Sequence, residues 1–511
     1  MKESFTQSPG NIDITKEQLH DDFLRIGKSA IDIAEKDKGL SDQEYSQSDA
    51  HEDYEEDNGH EEYRLGNPEL PIYDFRKEIM KTVDENQITI LTAETGAGKS
   101  TQVPQFLAED GYKVIVTQPR ILAARSVSER VKDEIKQNLG EGYDEFVGYR
   151  TAKERDDSPQ NRILFVTDGL QMVRELSDKY KSEKTVLVLD EVHEWNTNME
   201  VLAAWSNKKA QEDPSFKLVV MSATMESEPL SEFFSNEEGE KVPVIDVPGR
   251  TFPVTKREGN SVLEDAIKFA EEGKNTLVFV PGKAEINYLC EKLKKSVDAE
   301  VLPLHGELSP GEQRLVFKKY DKPKVIVSTN VAQTSVTIDD INAVVDSGLE
   351  RQSVTKNNIK GLFLNPISQA DCLQRAGRAG RVQEGEYVLS PLYIPRGSRF
   401  MQLPFWSMNE RQEFPTPEIL RNSLDSTALH LARAGFDIED LDFFHQPNSQ
   451  EIIDAKKRLF NLGALDEEGK ITKIGREMEK ISLDPHLARM MVEARKYGDT
   501  VRRQMAGILA V

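Results

Sequence analysis

The sequence predicts an α/β protein in which two tandem parallel-sheet domains are followed by helical modules. Short continuous runs of Val, Ile and Leu, separated by helical stretches, begin at about residue 71. Such runs are typical of strands that are buried on both faces of a parallel sheet. A segment rich in Pro and Gly at 248–253 divides the runs into two series, and beyond residue 410 they stop. We therefore predict α/β domains at 71–247 and 254–395.

The two series of runs predict nine strands. Those of the first domain are Ile88–Leu91, Val114–Val116, Ile163–Val166, Val186–Leu189 and Leu218–Met221. Those of the second domain are Leu277–Val280, Val325–Val327, Ala343–Val345 and Tyr387–Leu389. The runs do not alternate with polar residues, which favours strands covered by helices on both sides.

A helical module is predicted at 410–480. Thr416 and Pro417 have the pattern of an N-cap followed by Pro at the first helical position, and apolar residues continue one face until Gly435. A second helix is predicted from about Ser449 to Gly463, and a turn at 466–469 then separates two short extended pieces. Two helices and a hairpin in this order favour a winged helix.

Composition limits the class of protein. The chain has 511 residues, of which 38% are hydrophobic and 30% charged, and this length suits two to four domains. No run approaches the roughly 18 apolar residues of a membrane span, and the first residues have no apolar signal core. The two cysteines, Cys290 and Cys372, exclude a disulfide framework and a site made of thiols. We expect a soluble intracellular protein without a membrane partner.

Residues 1–70 differ from the rest of the chain. They carry 19 Asp or Glu against 7 Lys or Arg, about half of the net charge of -23. High charge with little aliphatic content predicts a disordered acidic tail. A capping-box spacing at 15–18 leaves a short partner-binding helix as an alternative, although a transient helix in a solubilising tail is favoured. Because the excess acid is concentrated here, the net charge does not exclude nucleic acid as a partner.

A phosphate-binding loop is predicted at 93–100, directly after the first strand. Its sequence is Ala-Glu-Thr-Gly-Ala-Gly-Lys-Ser, with Ala where the usual pattern has Gly. Gly96 and Gly98 allow backbone N–H groups to cradle a phosphate, Lys99 reaches its oxygens, and Ser100 ligates Mg²⁺. A bland glycine-rich turn is less favoured, because a strand precedes the loop and the Lys-Ser pair ends it.

An acidic pair follows the strand Val186–Leu189. Asp190 and Glu191 lie at the carboxyl end of a predicted parallel strand, the sheet edge at which α/β proteins bind ligands. Asp190 is suited to hold Mg²⁺ through water, and Glu191 to polarise an attacking water. A solvated pair of acids is the alternative, which the phosphate loop upstream makes less favoured.

A third cluster lies at 374–381, Gln-Arg-Ala-Gly-Arg-Ala-Gly-Arg, in the second α/β domain. Arginines three apart are expected on one helical face, where they repel one another unless an anion is present. A solvated basic stripe is the alternative. Two arginines that reach a phosphate held by another domain have the geometry of arginine fingers.

The motifs resemble those of the DEAH-box helicases of superfamily 2, a group of RNA-dependent NTPases. Eight motifs occur in the family's order, and the resemblance runs from about residue 71 to the last residue. They are the phosphate loop, 117–120, 167–169, 190–193, 222–224, 279–282, 328–330 with 337–339, and 374–381. The resemblance implies two RecA-like domains, a winged helix and, at 481–511, the start of a helical ratchet-like domain.

The resemblance also implies roles for individual residues. The catalytic residues are then Glu191, Gln374, Arg378 and Arg381. The nucleotide contacts are Gly96, Gly98, Lys99, Ser100, Thr101, Arg130, Phe317 and Asp339. The residues that couple nucleotide state to domain closure are His193, Ser222 and Thr224, and those that grip RNA are Arg120, Thr167, Thr329 and Asn330. Arg130 and Phe317 are expected to sandwich the base without reading its edges.

The sequence departs from the family pattern at a few positions. Val192 replaces the usual Ala, so that the tetrad reads DEVH, and Trp195 stands where Arg is common. Ile121 replaces a usual arginine, which puts the grip on RNA in doubt rather than hydrolysis, and Gln333 replaces a usual Glu. The last residues, 507–511, read as an apolar helix without a stop signal. We expect from this a truncated ratchet, with basal NTP hydrolysis but weak RNA stimulation.

These observations predict an NTP-dependent RNA helicase or translocase that uses ATP, accepts other NTPs, and requires Mg²⁺. The expected partner is single-stranded RNA, with DNA less favoured and an activating protein possible in addition. One alternative is an RNA-stimulated NTPase that remodels RNA–protein complexes without processive unwinding. Another is a catalytically silent RNA-binding scaffold, which the intact phosphate loop and acidic pair disfavour.

Overall fold

The computed structural model describes residues 64–94, 96–140, 142–176, 184–223, 227–235, 239–249, 252–334, 338–356, 359–396, 399–481 and 483–509. The predicted acidic tail lies outside the described residues up to position 63, and so does the alternative helix at 15–18. Thr224, predicted to couple the domains, and Thr337 also lie outside them. The chain divides into two compact units, one of which spans Glu62–Lys456 while the other includes Lys457–Val511.

An eight-stranded sheet forms the centre of the first α/β domain. Its strands are β1 (Ile88–Ala93), β2 (Lys113–Gln118), β3 (Val147–Arg150), β4 (Arg155–Asp156), β5 (Ile163–Thr167), β6 (Thr185–Leu189), β7 (Lys217–Ser222) and β8 (Val244–Val247). They lie in the order β4-β3-β5-β2-β6-β7-β1-β8, and only β3 and β4 pair antiparallel. All five runs predicted for this domain lie inside strands, and the parallel sheet is confirmed.

The second α/β domain has a six-stranded sheet and two hairpins. The strands are β9 (Val254–Glu258), β10 (Thr276–Phe279), β11 (Glu300–Leu304), β12 (Lys324–Ser328), β13 (Ala343–Asp346), β14 (Leu349–Lys356), β15 (Ile359–Pro366), β16 (Gly385–Leu389), β17 (Tyr393–Arg396) and β18 (Arg399–Gln402). The sheet has the all-parallel order β11-β12-β10-β13-β16-β9. The pairs β14–β15 and β17–β18 are antiparallel hairpins.

Successive residues of the central strands enter different hydrophobic clusters. In β10, Leu277 and Phe279 pack into one cluster, while Val278 packs into the other. Because both faces of the strand are covered, an unbroken apolar run is required, which explains why periodicity found these strands. Edge strand β9 has only part-buried or exposed residues. It therefore lacks an unbroken apolar run, and the sequence did not predict it.

Helices connect the strands and continue beyond them. Those up to residue 434 are Arg76–Glu85, Lys99–Glu109, Ile121–Leu139, Asp168–Glu175, Thr197–Glu212, Ser227–Phe233, Val262–Glu271, Lys283–Ser296, Pro310–Arg314, Val331–Thr334, Gln369–Ala376 and Asp425–Ala434. The later ones are Ser449–Asn461, Lys473–Glu479, Pro485–Ala494 and Asp499–Leu509. None of the helices in the described ranges is long and apolar enough to cross a membrane.

The predicted start of the first helix after residue 410 was wrong. Pro417 precedes only a 3-10 turn at Glu418–Leu420, and the α-helix begins at Asp425. Its end was right, because Gly435 has φ 91° and caps the helix in the left-handed conformation. The predicted hairpin around 466–469 is reduced to a single antiparallel bridge between Leu465 and Ile471.

Candidate active site

The two predicted phosphate elements of the first domain lie at one edge of its sheet. Strand β1 leads into the phosphate loop and β6 leads into Asp190, with β7 between the two strands. All three strands are parallel, so their carboxyl ends meet at the same edge. The fold therefore brings the described residues of the phosphate loop and residues 190–193 to one edge of the sheet.

The backbone of the phosphate loop has the conformation that its glycines allow. Gly96 and Gly98 have φ values of 92° and 100°, a region that side chains disfavour. A Cβ on Gly98 would in addition approach Leu70 to 2.9 Å. Helix Lys99–Glu109 begins immediately afterwards, which directs its first N–H groups toward the loop. This is a cradle suited to an anion.

Asp190 and Ser100 lie together beside the loop. Gln118 donates a hydrogen bond to Asp190 at 2.6 Å, and the carboxyl is fully buried. Burial raises the pKa of Asp190, whereas the charge on Lys99 and hydrogen bonds from Ser100 and Gln118 oppose that rise. One hydroxyl and one carboxylate suit Mg²⁺, which keeps several waters and is also bound by phosphate oxygens. Within the described ranges no group of three or more His, Cys, Asp or Glu forms a metal site.

Glu191 is held in a left-handed backbone conformation, with φ 55°. One carboxylate oxygen lies 3.7 Å from Lys99 Nζ and the other lies 3.3 Å from His193 Nε2. Burial alone would raise the pKa of Glu191, but Lys99, His193 and Arg378 outweigh it and lower the pKa. Glu191 is therefore ionised at neutral pH and able to accept a proton or a hydrogen bond from water.

His193 connects the two α/β domains. Its Nδ1 accepts a hydrogen bond from the N–H of Ala223 at 3.3 Å, next to buried Ser222. Its Nε2 lies 2.9 Å from the side-chain amide of Gln374 in the second domain. The predicted coupling residue His193 thus contacts the residue next to Ser222 and also the predicted water-orienting glutamine.

The predicted helical stripe of arginines was wrong in its geometry. The helix Gln369–Ala376 ends before Arg378, which follows in a turn closed by i to i+3 backbone hydrogen bonds, and Arg381 comes after that turn. Arg375 alone is helical, and it is buried against Asp346 with an Nη1 to Oδ1 distance of 2.8 Å. This buried ion pair, which the sequence does not reveal, directs the side chain of Arg375 into the core rather than toward the cleft.

Arg378 and Arg381 lie in surroundings that lower their pKa. Burial lowers the pKa of Arg378, Arg381 and Arg120 lower it further, and Glu191 and Glu194 act in the opposite direction. Burial also lowers the pKa of Arg381 to about 10. The enclosed Nε of Arg381 has no hydrogen-bond partner in the described part of the chain. An anion such as a triphosphate would supply an acceptor for that Nε, so the residues present fit that group.

Gln333 contacts four residues of the arginine-containing helix and the turn that follows it. Its Oε1 accepts a hydrogen bond from Arg375 Nε, and its Nε2 donates to both Asp371 and Gln374 at 2.7 Å. Its backbone carbonyl accepts a hydrogen bond from Arg378 Nη2. The sequence indicated Gln333 only as a departure from the family, and its four contacts could not be read from spacing.

The residues predicted to contact the nucleotide belong to both α/β domains, Arg130 to the first and Phe317 and Asp339 to the second. Arg130 and Asp339 both influence the pKa of Arg381, and they act in opposite directions. Glu129, adjacent to Arg130, pairs with Arg314 at 2.9 Å, three residues before Phe317. Phe317 is exposed. Arg130 Nε lies 3.2 Å from a carboxylate oxygen of Glu134 in the same helix. The hydroxyl of Thr101, another predicted nucleotide contact, donates a hydrogen bond to the carbonyl of Gly98.

Two of the predicted RNA contacts meet. Arg120 Nη1 donates to the carbonyl of Asn330 at 3.1 Å, and Nη2 lies 3.1 Å from Glu194. Thr167 ends β5, and Thr329 directly follows β12. Thr167 and Thr329 therefore lie at strand ends of the two sheets. Glu194 was not predicted as a functional residue, although its position directly after DEVH could have indicated it.

The departure at Trp195 has a packing explanation. Trp195 stacks on Phe444 with ring centroids 4.4 Å apart, and His445 pairs with buried Glu200. Trp195 thereby joins the loop that carries Glu191 to the segment that follows the second α/β domain. Val192 is fully buried, so the larger side chain is accommodated in the core.

Three family models match the chain. "DEAD/DEAH box helicase" matches residues 73–233, "Helicase conserved C-terminal domain" matches 258–383, and "Helicase associated domain (HA2), winged-helix" matches 457–478. They cover the first α/β domain, the second α/β domain and part of the predicted winged helix, in that order. The chain therefore has the domain order that the sequence predicted.

The chain is also similar to whole proteins. It is 35% identical over 461 residues to the probable ATP-dependent RNA helicase DHR2 of Saccharomyces cerevisiae, covering 84% of this chain and 60% of that protein. The crystal structure of Escherichia coli DEAH/RHA helicase HrpB superposes with a TM-score of 0.72 and 29% identity, covering 83% of this chain and 54% of that one.

A crystal structure of the E. coli DExH-box NTPase HrpB superposes with a TM-score of 0.68 at 30% identity, over 84% of this chain and 53% of that one. The chain thus spans between half and two thirds of the proteins that it matches. Its motifs, its two parallel sheets and these matches lead to one conclusion. The chain belongs to the DEAH-box family of superfamily 2 helicases.

Proposed function

We propose that this chain hydrolyses ATP, and other NTPs, to drive an RNA helicase or translocase. The observation that carries the proposal is the polar chain that crosses the cleft, from Lys99 through Glu191 and His193 to Gln374. It joins a phosphate loop in one α/β domain to an arginine segment in the other. Such an arrangement makes hydrolysis depend on how the two domains are placed.

Each residue of the cleft has a part in the proposed reaction. The loop N–H groups and Lys99 bind the phosphates, and Glu191 orients the attacking water and accepts its proton. Gln374 holds the same water from the other domain, while Arg378 and Arg381 stabilise the charge of the transition state. Mg²⁺, held through Ser100 and Asp190, would neutralise phosphate charge when bound.

Movement along RNA follows from the contacts between domains. His193 lies against both Ala223 and Gln374, so loss of the γ-phosphate would change the contacts that hold the domains together. Arg120 and Thr167 in the first domain and Thr329 and Asn330 in the second can grip a strand by its phosphates. Alternating grip by two domains moves a single strand.

The test is phosphate release by the purified chain, with and without a single-stranded oligouridylate and with Lys99→Ala as the control. We expect release that requires Mg²⁺ and Lys99 and rises when RNA is added. A tailed RNA duplex then separates unwinding from remodelling without strand separation. Absence of phosphate release by the wild-type chain, while Lys99→Ala gives the same result, would contradict the proposal and favour a silent RNA-binding scaffold.

A further inference from the structure

The guanidinium of Arg120 is already bound to an anion within the protein. Its Nη2 lies 3.1 Å from a carboxylate oxygen of Glu194, and its Nη1 donates to the carbonyl of Asn330 at 3.1 Å. Both side chains of the ion pair are only part-exposed. An arginine and a carboxylate at this distance form a charge-assisted hydrogen bond, the same type of bond that arginine makes to phosphate.

Glu194 belongs to the loop that carries Glu191. The N–H of Glu194 donates to the carbonyl of Glu191 at 3.0 Å, which closes a single tight turn. The turn lies between two left-handed residues, Glu191 with φ 55° and Trp195 with φ 36°. Trp195 is in turn anchored by stacking on Phe444. Because Trp195 is anchored, a displacement of Glu194 is expected to move Glu191 rather than Trp195.

We propose that Glu194 is a positioning residue that stands in for an RNA phosphate at Arg120. An RNA phosphate that binds Arg120 displaces Glu194, and the displacement is transmitted through the turn to the catalytic carboxylate. RNA binding and hydrolysis are thus coupled within one loop of four residues, Glu191–Glu194. This inference rests on the proposed function, because it requires that RNA binds at Arg120.

The chain contains a matched control for this ion pair. Arg125, in the same helix that follows Arg120, lies 3.2 Å from Glu154 and donates to Gln313 of the second domain. Like Arg120, it pairs with a glutamate of its own domain and reaches across the cleft. Glu154, however, follows β3 and has no part in the acidic loop.

The experiment compares Glu194→Gln with Glu154→Gln in the full chain. Affinity for a labelled single-stranded oligouridylate is measured at one fixed salt concentration, because phosphate contacts depend on salt. We expect Glu194→Gln to bind RNA about threefold to tenfold more tightly, since no internal carboxylate competes for Arg120. We expect the ratio of the RNA-saturated to the RNA-free hydrolysis rate to fall by at least about half. Glu154→Gln should leave both quantities close to wild type.

The outcomes separate this inference from the proposed function. If the wild-type chain binds RNA and Glu194→Gln binds it no more tightly, the inference is wrong and the proposed function stands. If the wild-type chain does not bind RNA, both are wrong. Thermal unfolding identifies a variant that fails to fold, and Glu194→Asp, which keeps the charge but shortens the reach to Arg120, then provides the same comparison with a smaller expected effect.

Discussion

The two sides of the catalytic cleft are held in place in different ways. On the first-domain side, Glu191 is fixed by its own backbone turn and by Lys99 and His193, groups that also take part in the proposed chemistry. On the second-domain side, Arg378 and Arg381 follow a helix that is anchored by Arg375 and Asp346, a pair buried at 1% and 0% exposure. The anchoring groups there do not touch the cleft.

This difference means that substitutions on the two sides of the cleft should affect different properties of the protein. A substitution at Glu191 changes a reacting group while the sheet beneath it remains intact. A substitution at Asp346 leaves the reacting groups unchanged but removes the partner of a fully buried arginine. We therefore expect substitutions on the first-domain side to lower the rate of hydrolysis. Substitutions on the second-domain side should first lower the stability of the fold.

The largest effect is expected from Glu191→Gln. Loss of a general base typically lowers a rate by about 10²–10⁴-fold, and the isosteric amide preserves the volume of the site. Nucleotide affinity should remain close to wild type, because Glu191 is assigned to water rather than to phosphate. Turnover and nucleotide affinity are measured separately for the same preparation.

Lys99→Ala is the matched variant, since it should lose affinity as well as turnover. If Glu191→Gln retains more than about a tenth of the wild-type rate, its assignment as the base is wrong. A large loss of thermal stability in Glu191→Gln would contradict the contrast between the two sides of the cleft.

Asp346→Asn tests the second side. Removal of one partner from a buried ion pair typically destabilises a protein by about 3–5 kcal/mol, because the remaining charge is left uncompensated. Asp346 also accepts hydrogen bonds from Tyr387 and from the N–H of Gly348, which adds to the loss. We expect a lower midpoint in chemical or thermal denaturation and partial loss of hydrolysis.

Asp265→Asn in the same domain is the control. Asp265 is also buried and accepts a hydrogen bond from Ser390, but its arginine neighbour, Arg257, lies 3.8 Å away and is about one-third exposed. Its substitution should cost about 1.5–3 kcal/mol, the usual value for a lost hydrogen bond to a charged group. Equal destabilisation by the two substitutions would argue against the buried pair as the anchor.

Asp168→Asn should change the dependence of stability on pH. Asp168 begins the helix after β5 and accepts a hydrogen bond from Asn196, just beyond the DEVH loop. Burial raises its pKa to about 7, so the folded protein holds a proton that the unfolded chain releases near pH 4. This contribution favours folding fully below about pH 4 and is lost as the pH rises to about 7.

The loss amounts to at most about 1.4 kcal/mol for each pH unit within that window. Asn has no proton to lose and can still accept from Asn196. We therefore expect Asp168→Asn to gain stability relative to wild type as the pH rises from about 5 to about 7. Denaturation midpoints of both proteins at each pH measure this, and a constant difference would show that Asp168 is ionised throughout.

Prediction from the sequence succeeded where the signal was local. Lys99 and Asp190 were predicted because each follows an apolar run at a fixed spacing, and a parallel sheet brings such strand ends together. Arg375 was expected on one helical face with Arg378 and Arg381, yet it is buried, because it pairs with Asp346 of β13, and spacing within the motif does not reveal that partner. Glu194 follows the DEVH tetrad directly, but its ion pair with Arg120 joins residues far apart in the chain, and spacing does not encode that contact.

The smallest effect on hydrolysis is expected from changing the base of the nucleotide. Arg130 belongs to the first α/β domain and Phe317 to the second, and the proposed stacking between them would hold every base by its face without reading its edges. Specificity constants for ATP, GTP, CTP and UTP should therefore lie within about tenfold of one another, or about 1.4 kcal/mol. Phe317→Ala should raise KM for all four nucleotides by a similar factor while kcat changes little, since the catalytic groups are untouched. A preference greater than tenfold would require hydrogen bonds to a base edge, and the stacking assignment would then be wrong.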